Sequence, residues 1–169
     1  MVLVLMGVSG SGKTTVGQLL SSPLKWQFAD ADDYHSPENV EKMRHGIPLT
    51  DADREPWLDT LTHLIASWIE NRQNAILACS ALKRTYRERL RLDSDVHFVY
   101  LKGTPELLQQ RLRARVGHFM TARMLESQLA TLEEPEDAIT VDIDRSPQEI
   151  VVEIQKRLGL PTDKTTNPI

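Results

Sequence analysis

The chain has 169 residues, 40% of them hydrophobic and 26% charged, which is enough for one sizeable core and ordinary for a globular domain. A formal net charge of −4 argues against nucleic acid or an anionic membrane as a partner, and no apolar run approaches the ~20 residues of a membrane span. The first strand-like run starts at Val2 with no signal peptide before it, so a cytoplasmic location is expected.

In chain order, Val2–Met6 reads as a buried strand. It runs into Gly7-Val8-Ser9-Gly10-Ser11-Gly12-Lys13-Thr14, which fits G-x-x-x-x-G-K-[ST] at every fixed position, and a helical stretch follows from Thr14 to about Ser21. Strand, glycine loop and helix together are the context in which this motif holds phosphate. Its backbone N–H groups turn inward around an anion, the helix N-terminus adds partial positive charge, and Lys13 adds a full one. A purine nucleoside triphosphate is therefore expected against Gly7 through Thr14 and the adjoining Thr15, with the Thr14 hydroxyl available to Mg²⁺.

Further strands are expected at Gln27–Ala29, Ala75–Cys79, Val96–Leu101 and Ala138–Ile143. Helical patterns alternate with them, which implies a parallel sheet covered on both faces. Ser36-Pro37, Thr104-Pro105 and Ser146-Pro147 each offer an N-cap followed by proline at the first helical position, and Ser146 has capping-box spacing to Glu149. From about Arg54 to Asn71 the residues Trp57, Leu58, Leu61, Leu64, Ile65, Trp68 and Ile69 make one apolar helical face, so both tryptophans are expected in the core. The single cysteine, Cys79, is expected to be a small buried hydrophobe. Residues 1–160 read as one domain and 161–169 as a frayed polar tail. About 45 residues separate the second and third strands, too many for one crossover helix, so residues 33–74 are expected to form a substrate-binding insert. A basic, glycine-containing stretch over 111–128 suits a lid.

The candidate chemistry clusters beyond the carboxyl ends of the strands, where ligands bind in a doubly wound sheet. Asp30 and Asp32, two apart, project to one side of an extended chain. One carboxylate can organise Mg²⁺ and the other can orient an acceptor hydroxyl and take its proton. The third strand ends Leu77-Ala78-Cys79-Ser80 without the aspartate that a switch GTPase or motor ATPase would carry there, and no Asn-Lys-x-Asp stretch for guanine is present. Lys83 and Arg87, four apart, share a helical face suited to an anionic substrate, and Arg111 and Arg115 repeat that spacing in the lid, where arginines clamp phosphoryl oxygens. His35, His45, His63, His97 and His118 have no zinc-site spacing.

Several blocks occur in a specific order: Met6 through Lys13, Asp30-Ala31-Asp32-Asp33-Tyr34-His35, Lys42-Met43, Gly46-Ile47-Pro48-Leu49, Asp53-Arg54, Pro56-Trp57-Leu58, Cys79-Ser80-Ala81-Leu82-Lys83 with Tyr86-Arg87, Gly117-His118-Phe119 and Leu132-Glu133-Glu134-Pro135. Across about residues 2–158 the chain resembles the small gluconate kinases related to shikimate kinase. The resemblance implies a P-loop, nucleoside-monophosphate-kinase-like α/β fold with a five-stranded parallel sheet. It implies ATP- and Mg²⁺-dependent phosphorylation of D-gluconate to 6-phospho-D-gluconate, feeding sugar-acid catabolism, by a homodimer. It makes Asp32 the acceptor-side carboxylate and Asp30 its Mg²⁺-side neighbour. Arg54, Lys83 and Arg87 become the grip on the sugar acid, and Arg111 and Arg115 the lid arginines. Two other readings stay open: another small-metabolite kinase of the shikimate kind, and a nucleotide-binding module without turnover.

Overall fold

A computed structural model describes residues 1–114 and 122–162. Five strands, β1 (Val2–Met6), β2 (Gln27–Asp30), β3 (Ala75–Ala78), β4 (Val96–Lys102) and β5 (Ile139–Asp142), form one sheet in the order β2-β3-β1-β4-β5. All four pairings are parallel, with Val4 set between Leu77 and Phe98. Every strand therefore points its carboxyl end to the same side, so the loops after β1 and β2, on either side of β3, both open there.

The sheet has a core on each face, as a parallel sheet requires. Alternation along β1 divides it between them: Val2, Val4 and Met6 face one way, Leu3 and Leu5 the other. The first face packs against α3 (Asp51–Glu70) and α4 (Arg84–Leu90) through Trp57, Leu58, Leu61, Ile65, Trp68, Tyr86 and Leu90. The second packs against α1 (Lys13–Leu24), α5 (Pro105–Ala114), α6 (Ala122–Thr131) and α7 (Pro147–Leu158). Both tryptophans expected in the core are buried there, and so is Cys79, whose thiol is pushed up to about 12 by burial.

The helix starts follow local chemistry. Ser36 accepts from the Asn39 amide ahead of α2 (Pro37–Arg44), and Ser146 and Glu149 form a reciprocal capping box at α7. The Thr104 hydroxyl accepts from the Leu107 amide at 3.3 Å as α5 begins. Helix α3 starts at Asp51, three residues earlier than its apolar pattern suggests, because Thr50 and Asp53 cap it reciprocally. Between β2 and β3 the chain forms a 3-10 turn (Ala31–Tyr34), α2 and α3. Lys42 of α2 bonds Asp53 of α3 at 2.8 Å, and Asn39 donates to the Asp53 carbonyl at 2.7 Å, so the two helices are knitted at one point. No helix among the described residues is long and apolar enough to cross a membrane.

Helix α1 and strand β2 meet so closely at Gly17 that a Cβ there would lie 2.4 Å from a ring carbon of Phe28. The ring is rigid and half-buried, so the backbone would have to shift. Gly17→Ala should lower stability by about 1–3 kcal/mol, read as a lower thermal midpoint. Adding Phe28→Leu should recover most of that loss. An unchanged melt for Gly17→Ala would contradict this packing.

Candidate active site

The glycine loop joins β1 to α1. Gly7 has φ +149° and passes so near Leu101 that a Cβ would meet its carbonyl oxygen at 2.9 Å, so only glycine lets the loop close over the end of β4. Lys13 folds back over the loop and donates to the carbonyls of Gly7 (2.9 Å) and Val8 (3.1 Å). The Ser11 hydroxyl is buried with no protein partner. An orphaned donor inside a cradle of backbone amides at a helix N-terminus fits an anion.

Asp30 ends β2 and holds the next turn. Its Oδ1 accepts from the Asp32 amide at 3.1 Å, and its Oδ2 accepts from the Thr14 hydroxyl at 2.6 Å. The residues assigned to Mg²⁺ on sequence grounds, Thr14 and Asp30, are therefore in direct contact, and their all-oxygen donor set suits a hard cation. Asp32 is exposed, and its charge and those of Lys13 and Asp30 reach the Cys79 thiol at the end of β3. Among the described residues no group of three or more His, Cys, Asp or Glu side chains is arranged to hold a metal.

The turn bearing Asp32 is pinned from α3. The Trp57 indole N–H donates to the Ala31 carbonyl at 2.7 Å, and the His35 ring stacks on the indole at 4.5 Å between centroids and 11° between planes. Burial, and secondarily the Arg54 charge, lower the His35 pKa from 6.5 to about 4, so the imidazole is neutral at physiological pH.

Arg54 and Lys83 come from separate elements and converge on the Tyr86 ring, at 5.8 and 5.7 Å from its centroid. Arg54 also donates to the Leu49 carbonyl. Lys83 is held by both carboxylate oxygens of Asp51, at 2.8 and 2.9 Å, and the Tyr86 hydroxyl donates to the same carboxylate. These bonds, the Lys83 one first, lower the Asp51 pKa, and the Asp51 bond raises that of Lys83. Arg87 is not gathered with them. It is buried, and its guanidinium donates to the Ala81 and Leu82 carbonyls at 2.9 and 3.1 Å. Ala81 has φ +44°, a left-handed conformation that strains a non-glycine residue. Arg87 therefore braces the strained turn that aims Lys83.

Arg111 lies beside the glycine loop. It donates to the Ile143 carbonyl at 2.6 Å, and with Gly12, Thr15, Pro147 and Ile150 it lines a cleft of about 230 Å³. Arg115, the Gly117-His118-Phe119 block and residues 163–169 of the tail fall outside the described residues. Sequence reasoning missed Asp51, the pinning role of Trp57, and Gln128, whose Oε1 accepts from the Ser9 amide at 2.7 Å. The capping-box spacing of Thr50 and Asp53 marked the helix start next to Asp51, but no local signal pointed to Gln128.

The model of the shikimate kinase family matches residues 9–159. The chain is 47% identical to a probable gluconokinase of Xenopus tropicalis over 92% of each chain. It is 47% identical to a gluconokinase of Gluconobacter oxydans over 90% of this chain and 88% of the relative. The crystal structure of a gluconokinase from Sinorhizobium meliloti superposes with a TM-score of 0.84 at 42% identity, over 93% of this chain and 90% of that one.

His35 gives the fold a pH signature. Between pH 6.5 and about 4 the unfolded chain binds a proton at this imidazole that the folded chain refuses. Its contribution to stability is therefore intact above pH 6.5 and declines as pH falls towards 4. His35→Phe, which keeps a ring for Trp57 to stack on, should show a shallower loss of stability across that interval in denaturant titrations. Parallel curves for the two proteins would mean that His35 is not held neutral.

Proposed function

The chain belongs to the gluconokinase family, and on that premise we propose how its own residues carry the reaction. The protein phosphorylates gluconate with ATP. The observation that best supports this activity is a cation pair, Arg54 and Lys83, set around Tyr86 beyond the same strand ends that present Asp30, Asp32 and the glycine loop. A linear sugar acid carries a carboxylate at one end and a primary hydroxyl at the other. In this reading the carboxylate meets Arg54 and Lys83, and the hydroxyl meets Asp32.

The glycine loop, Gly7 to Gly12 with Thr14 and Thr15, wraps the phosphates. Lys13 gives up its two loop carbonyls for the β- and γ-phosphates. Arg111, alongside Gly12 and Thr15, contacts the nucleotide, and Arg115 joins it as the second lid arginine. Thr14 and Asp30 would hold Mg²⁺, which when bound offsets phosphate charge. Asp32 orients the O6 hydroxyl and accepts its proton as the bond from O6 to phosphorus forms and the bond to the ADP oxygen breaks. The product is 6-phospho-D-gluconate. Arg87 serves the sugar acid indirectly, by holding the turn before Lys83. Residues 33–74 act as the substrate flap and 111–128 as the lid. A homodimer in the cytoplasm completes the reading, checked by sedimentation of the purified protein and by cell fractionation.

Two experiments test these assignments. Asp32→Asn should retain ATP affinity and lose about 10²–10⁴-fold in turnover, the usual share of a general base. Loss of ATP affinity with turnover intact would assign Asp32 to the metal instead. Gluconate should exceed glucose in kcat/KM by about 10–150-fold, the cost of leaving a charge-assisted hydrogen bond unmade. Shikimate, whose ring sets carboxylate and hydroxyl at another separation, should also be poor. Equal efficiency on either compound would overturn the sugar-acid reading and leave the nucleotide site standing.

A further inference from the structure

The end of α6 touches both halves of the site. Its last turn carries Gln128, whose side-chain oxygen accepts from the Ser9 amide in the middle of the glycine loop at 2.7 Å. Five residues on, Glu133 grips the chain on both sides of Lys83. Its amide donates to the Leu82 carbonyl at 2.9 Å, and its carboxylate accepts from the Arg84 amide at 2.5 Å. Lys83 is the N-cap of α4 but supplies no side-chain cap, so the Glu133 carboxylate does that work from another element. The neighbouring Glu134 is tied to β4 through Lys102 at 2.9 Å and Tyr100 at 3.3 Å, which anchors this stretch to the sheet.

We propose that residues 128–133 are a brace coupling the nucleotide loop to the sugar-acid loop, with Gln128 and Glu133 as its positioning residues. The proposal rests on the gluconate kinase reading above. Ser9 lies among the loop amides expected to face phosphate, so a nucleotide that reorients the Ser9 peptide pulls on Gln128. That displacement reaches the backbone on either side of Lys83 through Glu133. Binding at one site then changes affinity at the other by the same factor in both directions. A direct link between the loops also exists, from the Gly7 amide to the Ser80 carbonyl at 3.3 Å. It is longer, and it ends three residues short of Lys83.

The test is calorimetric titration of gluconate with and without a saturating non-hydrolysable ATP analogue. The ratio of the two dissociation constants measures coupling. Wild type should show a ratio of about 5 or more, in the ordinary range for coupled sites. Gln128→Met, which keeps length and helix preference but removes the acceptor, should bring the ratio towards unity. Glu133→Ala should do the same, and Glu133→Gln, which retains an acceptor oxygen, should restore it. A purely structural role would lower the melting temperature and leave the ratio alone. An unchanged ratio in Gln128→Met and Glu133→Ala would assign coupling to the Gly7–Ser80 link and overturn the proposal. A ratio of unity in wild type would overturn it as well. Wild type that fails to bind gluconate at all would instead bring down the substrate reading, and the brace with it.

Discussion

Strand β1 is buried along its whole length between two parallel neighbours, and the chemistry hangs from its carboxyl end. Parallel pairing leaves no choice about direction: β2 and β3 must deliver their following loops to the same edge as the glycine loop. Asp30 can therefore reach Thr14, sixteen residues earlier, and Ser80 can accept from Gly7. Both cores serve this arrangement. One fixes α1 so that its N-terminus faces the loop, and the other fixes α3 so that Trp57 reaches the Ala31 carbonyl. A site built on strand ends and helix termini inherits their rigidity, which a phosphoryl transfer needs in order to hold two reactants in line.

Charge is handled by pairing rather than by accumulation. Arg54 and Lys83 would repel each other across the Tyr86 ring, and Asp51 offsets one of the two charges. In the proposed reading, the one positive charge left over is the one a monocarboxylate would meet. His35 lies close enough to sense Arg54, and burial keeps it neutral, so it adds shape without adding charge. Arg87 shows the opposite use of a cation. Its guanidinium is spent on two carbonyls of a strained turn, where its charge strengthens hydrogen bonds that a neutral side chain would make more weakly.

What was legible in the sequence was local. The glycine motif needed only its own eight residues and the strand and helix beside it. The alternation of apolar runs announced a parallel sheet, and the caps at Ser36 and Ser146 marked helix starts to the residue. Asp30 and Asp32 read as a pair on an extended chain, but only Asp30 ends β2, and Asp32 lies in the 3-10 turn Ala31–Tyr34 with its amide donating to the Asp30 carboxylate. Boundaries slipped where a tertiary contact or a cap overrode the apolar pattern, as at Asp51, where Thr50 and Asp53 start α3 early.

What only the tertiary structure decided was which polar side chain meets which partner across long stretches of chain. Lys83 and Arg87 share a spacing that suggests one helical face, yet Lys83 is the cap before α4 and Arg87 turns inward to Ala81 and Leu82. Asp51 meets Lys83 across 32 residues, and Gln128 meets Ser9 across 119. Periodicity and capping are set by backbone geometry within a turn or two, so the sequence carries them openly. A contact between distant residues depends on how whole layers pack, and no local pattern encodes that distance.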